Sequence, residues 1–168
     1  METAPIATDF FNRLLYETDA LEAVGILSDR WNVRARAAGR WLGLSRPEHQ
    51  VSMVLIYVGE VGNGGHTQFF SNRGGDIATR VRAALRDVGL APLEVLLEAA
   101  FAVFPEGEVP ADCAEVDRIL EVCGEDRLAE LERLDREVSR FDPYPRLLAY
   151  LRENERDVLR PERGLGAP

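Results

Sequence analysis

Apolar positions recur at three- and four-residue intervals along nearly the whole chain, the spacing of helices that each bury one face. The pattern predicts an all-α protein, a single-domain bundle of about seven to nine helices. Phe10, Leu14, Leu15, Leu21 and Val24 mark one or two amphipathic helices at the start, and an Arg-rich helix follows from about Trp31 to Leu42. Ser45-Arg46-Pro47-Glu48 has the capping-box arrangement and opens a helix whose Val51, Val54, Leu55 and Val58 fall at i, i+3, i+4 and i+7. The β-branched residues of that run leave a buried strand as the alternative.

Farther on, Ile77, Val81, Ala84, Leu85 and Val88 predict a helix capped by Asp76 and closed by Gly89 at the C′ position. Leu93, Leu96, Leu97, Ala100, Phe101 and Phe104 form the clearest stripe, with Glu94 and Glu98 on the far side and Phe104-Pro105 as the stop. Asp112 and Glu115 repeat the capping spacing before Val116, Ile119 and Leu120, and Gly124 breaks that helix. Leu128, Leu131, Leu134, Val138 and Phe141 define the next, and Asp142-Pro143 opens a last helix with Leu147, Leu148, Leu151 and Leu159. Residues 1–44 are thus expected to be N-terminal helices packed on a main domain at 45–160, with a disordered tail at 161–168.

One stretch departs from helix-forming composition. Between Glu60 and Gly75 five glycines bracket Asn63, His66, Gln68, Phe69, Phe70 and Asn72. Glycine is favoured where a backbone takes φ > 0 or lies against a neighbour, and it costs roughly 1 kcal/mol relative to alanine inside a helix. His66 is the one attractive base, yet its surroundings have no nucleophile-elbow or zinc-ligand spacing, and His49 lies on another helix. A structural or binding-surface histidine is therefore expected. Gly62-Asn63-Gly64-Gly65 lacks the Gly-Lys-Ser/Thr ending of a phosphate loop. Gln68 and Asn72, at i and i+4, either present amides to a ligand or tie down the loop. Phe69 and Phe70 are adjacent and do not share one helical stripe, so at least one is expected over a neighbouring element or in an exposed groove.

At 168 residues the chain is long enough to bury about 70% of its unfolded surface without staples. It shows no signal-peptide pattern, and its longest apolar run, Val51–Val58, is far short of the roughly 20 residues that span a bilayer. A soluble, cytoplasmic protein with no membrane partner is expected. Cys113 and Cys123 lack metal-site spacing, so neither a metal nor a cofactor is expected. Every basic residue is arginine, which reads as codon bias.

The net charge of −9 is placed unevenly. Up to Leu93 ten acids balance ten arginines, so the whole excess lies beyond it, where 19 acids face ten arginines. Asp117, Glu121 and Glu125 are spaced i, i+4, i+8; Glu94 pairs with Glu98 and Asp126 with Glu130. Like charges so spaced cost about 0.2–0.5 kcal/mol per pair, so folding does not ask for them. Glu130 with Arg133, Glu132 with Arg136 and Arg133 with Glu137 have partners at helical spacing. Residues 106–126, with Glu106, Glu108, Asp112, Glu115, Asp117, Glu121, Glu125 and Asp126 against Arg118 alone, do not. The plain reading is a solvated acidic face; the sharper one is a surface that attracts a basic protein and imitates the phosphate array of DNA. The same sign of charge argues against direct nucleic-acid binding, despite Arg30, Arg34, Arg36 and Arg40, which are free to pair with the acidic half within one chain or across a homodimer.

Glu60-Val61-x-Asn63-Gly64-Gly65-x-x-Gln68-Phe69-Phe70-x-Asn72, followed by Ala84, Leu85 and Gly89 and by the helix ending at Phe104-Pro105, resembles the bacterial domain family named after a DNA-mimic protein. Leu131 to Asp135, reading LERLD, and the closing helix with Tyr150 are similar to that family's C-terminal portion. The resemblance covers roughly residues 48–152, with Gly62 and His66 standing where the family pattern has Asn and Phe. It implies an all-helical fold and, for the namesake, an acidic protein that binds a transcription factor in place of DNA. The expectation is a non-enzymatic binder of a basic protein surface, a DNA-binding regulator being the most concrete partner. The partner-binding residues would be Glu94, Glu98, Glu115, Asp117, Glu121, Glu125 and Asp126. An immunity- or antitoxin-like inhibitor, or a small-molecule site at the glycine-rich segment, are the alternatives.

Overall fold

The computed structural model describes residues 4–37 and 43–158, and in that part the chain is all-α, with eight helices and no strand. These are α1 (Ala4–Tyr16), α2 (Ala20–Ala37), α3 (Arg46–Val88), α4 (Ala91–Phe101), α5 (Cys113–Val122), α6 (Glu125–Ser139), α7 (Tyr144–Glu153) and α8 (Glu155–Val158). The expected tail at 161–168, Leu159 and the end of the Arg-rich helix near Leu42 lie outside the described residues. The helices group into two compact units, one holding the described residues up to His49 together with those from Pro143 to Val158, the other Gln50–Asp142.

In the first unit α1 and α2 both pack on α7. Asp19 separates them, its carboxylate accepting from the Leu21 N–H at 2.9 Å as an N-cap. The Arg-rich segment is not a separate helix: Val24, Leu27, Trp31 and Ala35 form one continuous buried stripe, and α2 runs through Gly25 without a break. Leu14, Leu15, Leu147, Leu148 and Leu151 complete this core. Arg152 donates through Nε to the Leu15 carbonyl, and the Tyr16 hydroxyl donates to Glu155 at 2.9 Å. Of the capping box at Ser45 one half forms: the Glu48 carboxylate accepts from the Ser45 N–H at 2.8 Å and pairs with Arg34, while the Ser45 hydroxyl makes no hydrogen bond among the described residues.

The second unit is built around α3. Val51, Met53, Val54 and Tyr57 are fully buried on a helix, which settles the strand alternative. The helical path breaks at Gly64 (φ −155°, ψ 23°), Gly65 (φ 75°, ψ −177°) and Gly74 (φ 63°, ψ −179°), so α3 runs as three helical segments. The third therefore starts at the Gly74 break, without Asp76 as its cap. It ends as predicted at Gly89 (φ 82°), where the Leu90 N–H reaches the Leu85 carbonyl at 2.8 Å and the Gly89 N–H the Arg86 carbonyl at 3.1 Å, a Schellman closure. α4 buries Leu93, Leu97, Ala100 and Phe101 and stops at Phe101, earlier than the Phe104-Pro105 signal; Phe104 is buried from the turn beyond it. α4 packs on α6, which contributes Leu131, Leu134 and Val138. Asp112 caps α5 through the Ala114 N–H at 3.0 Å, and Gly124 (φ 81°) separates α5 from α6. In the first unit α7 begins at Tyr144, one residue later than a Pro143 start, with a proline inside its first turn.

Candidate functional site

The glycine-rich segment is a joint between packed helices. Gly65 at φ 75° and ψ −177° occupies a region essentially closed to other residues. A Cβ there would also fall onto the Asp135 carboxylate. The space left by the missing side chain admits that carboxylate, and Asp135 Oδ1 accepts from both the His66 backbone N–H at 2.8 Å and His66 Nδ1 at 2.5 Å. The helical segment that starts after Gly65 has an N–H with no partner within its own helix, and Asp135 serves as its N-cap from 69 residues away.

His66 is fully buried, and its second ring nitrogen is engaged as well: the Tyr57 hydroxyl lies 2.9 Å from Nε2. Burial, with the nearby Asp135 charge adding to it, raises Tyr57 well above the ordinary phenol value, so the hydroxyl keeps its proton. A carboxylate only accepts, so Nδ1 carries the proton shared with Asp135, while the Tyr57 hydroxyl lies against Nε2. With both nitrogens occupied and solvent excluded, the ring is a structural connector rather than an accessible base. Phe69 and Phe70, one of which was a candidate for an exposed groove, are both fully buried. They lie on a segment enclosed on several sides, Phe69 against Tyr57 at 5.2 Å between centroids and Phe70 against Phe104 at 4.9 Å.

Glu60 organises the amides of the segment. Its Oε2 accepts from Gln68 Nε2 and Asn72 Nδ2, each at 2.9 Å, and its Oε1 from Arg73 Nε at 2.7 Å. Burial pulls the Glu60 carboxyl upward, but the donors Asn72, Gln68 and Arg73, with the Arg73 charge, outweigh it and hold it below the usual carboxylate range. Gln68 and Asn72 therefore bind a side chain, not loop backbone. Gly64 leaves room for Gln68 to fold back, and Asn63 is exposed. The pair Gly74-Gly75 permits a second close approach: Gly75 N–H donates to the Pro110 carbonyl at 2.7 Å, and a Cβ there would overlap the Val109 carbonyl. Asp135, Tyr57 and Arg73 were invisible as members of this network from sequence; the LERLD resemblance touched Asp135 without assigning it a partner.

The acidic residues divide into groups. Glu94 and Glu98 are drawn to Arg86, at 2.5 and 3.9 Å. Glu115 stands in the first turn of α5, and Glu125 and Asp126 in the first turn of α6, where carboxylates complement the helix dipole. Asp117 and Glu121 lie on the exposed side of α5 with no such local reason. Because Gly124 ends α5, Glu125 does not extend their i, i+4 row along the same helix. Glu115, Asp117, Glu121, Glu125 and Asp126 are all exposed, and among the described residues none has an ion-pair partner. Arg127, next to them, sends its guanidinium to the Val103 carbonyl at 2.7 Å instead. On α6 the Glu130–Arg133 pair forms at 2.7 Å, while Glu137 pairs with Arg140 at 3.0 Å.

Among the described residues no three His, Cys, Asp or Glu side chains converge as a metal site, and no helix is long and apolar enough to cross a membrane. No curated protein and no solved structure matches the chain. The family described as DMP19-like protein matches residues 42–154, a span that contains the glycine joint, the Glu60 cluster, Asp135 and the acidic helices. The chain belongs to the DMP19-like protein family.

Proposed function

We propose that this protein is a non-enzymatic acidic module that engages a basic protein surface, most concretely the DNA-contacting face of a transcription regulator. The observation that carries the reading is the set of exposed carboxylates from Glu115 to Asp126 without ion-pair partners among the described residues. Family membership supports it. Unneutralised charge on a folded surface raises the encounter rate with an oppositely charged partner and lowers it for nucleic acid. Asp117 and Glu121 are the central pair, since no local requirement of folding explains them; Glu94 and Glu98, shared with Arg86, are peripheral. The small-molecule alternative loses support because the groups it needs are used internally: Glu60 by Gln68, Asn72 and Arg73, and His66 by Tyr57 and Asp135.

The test is a tagged capture from lysate at low salt, followed by competition of the captured regulator against its own DNA. The chain should displace DNA, and its binding should weaken steeply with salt, because exposed charges are screened over about 8–10 Å at physiological ionic strength. Charge reversal at Asp117, Glu121 and Glu125 together should abolish binding without altering helicity. Retained affinity in that triple variant would defeat the proposal.

A further inference from the structure

We infer that Asp135 is a positioning residue that couples the glycine joint of α3 to α6 and so sets where the first-turn carboxylates of α6 stand; the functional weight of this coupling rests on the acidic-surface reading above. α6 carries Glu125 and Asp126 at its start, and two polar anchors fix it along its length. Near the start Arg127 holds the Val103 carbonyl at 2.7 Å. In its second half Asp135 takes two hydrogen bonds from a single residue, the His66 N–H and ring.

Apolar packing of Leu131, Leu134 and Val138 is non-directional and tolerates rotation and sliding of a helix, whereas a carboxylate bonded at once to a backbone N–H and a ring fixes register. The joint is shaped for this contact. Gly65 has the backbone conformation and the missing Cβ that let the carboxylate reach the His66 N–H, and Tyr57 behind the ring holds the imidazole toward Asp135. The segment's N-terminal dipole favours the negative charge in that place. The glycine motif and the acidic helix are thereby one mechanical unit, although 69 residues separate His66 from Asp135.

Residue-resolved amide exchange of the full chain at neutral pH tests the coupling without any partner. Asp135→Ala should raise exchange in residues 66–70 and 128–138 together by roughly tenfold or more while amides of α4 keep their rates, the signature of a shared local opening. Asp135→Asn, which keeps an oxygen for the His66 N–H but loses the charge, should give a smaller rise in the same two segments; it also carries the test if the alanine variant fails to fold. Equal acceleration in α3, α4 and α6 would make Asp135 a general packing residue and overturn the inference, as would a rise confined to either segment or no rise. Failure of the triple charge reversal to affect binding would instead remove the acidic-surface reading and leave the exchange result standing.

Discussion

Three glycines within four positions should respond to alanine in three different ways, and the contrast tests the geometry of the joint. At Gly65 the substitution forces a side chain into φ 75°, ψ −177°, at about 1–3 kcal/mol, and drives its Cβ into the Asp135 carboxylate. Displacing that carboxylate leaves the His66 N–H without its charged acceptor, a loss of about 1.5–3 kcal/mol. The two effects overlap, since the chain relieves one partly by yielding to the other, so about 3–5 kcal/mol is expected. At Gly64 φ is negative, and the three atoms nearest an added Cβ all belong to the Gln68 side chain; loosening Gln68 from Glu60 should cost about 1–2 kcal/mol. At Gly62 nothing lies within 4 Å of the added Cβ, and alanine should stabilise by up to about 1 kcal/mol through helix propensity. Urea unfolding read by far-UV circular dichroism gives the three differences, and thermal scans should show Gly65→Ala lower by about 10 °C at 2–4 °C per kcal/mol. A Gly65→Ala protein within 0.5 kcal/mol of the parent, or equal effects at all three positions, would refute the joint as described.

Glu60→Gln should flatten the acid limb of stability. The carboxyl is held below its ordinary range, so its contribution is complete above the unfolded value of about 4.3 and disappears as pH falls through the lower folded value; urea midpoints at pH 7 and pH 3 should therefore differ less in the variant than in the parent. Asp112→Ala removes the α5 cap and should cost about 1 kcal/mol in the same assay, with no loss if the Ala114 N–H is satisfied by water alone.

The helical class, the Gly89 and Gly124 stops, the Asp112 cap, the inward stripe of α4 and the Leu131, Leu134 and Val138 part of the α6 stripe were legible in the sequence, because each depends on neighbours within one or two turns, whereas Leu128, expected in that stripe, is exposed. The glycine cluster was legible as an unusual backbone path, but not as three separate tasks at Gly64, Gly65 and Gly74-Gly75: two are defined by atoms far along the chain, Asp135 and the carbonyls of residues 109–111, and the third by the way Gln68, four residues on, folds back toward Glu60. Likewise the row of Asp117, Glu121 and Glu125 was continuous on paper and interrupted in space, because a left-handed glycine redirects the helix between them.

Composition and periodicity are local properties, and they were enough to mark an acidic helical chain with an unusual glycine-rich segment. What that segment holds together emerged from the fold. A buried polar group must find its partner wherever the fold supplies one, and that pairing, Glu60 with Gln68, Asn72 and Arg73, and His66 with Tyr57 and Asp135, is set by packing; the i, i+4 spacing of Gln68 and Asn72 paired the two amides without naming the carboxylate that holds them.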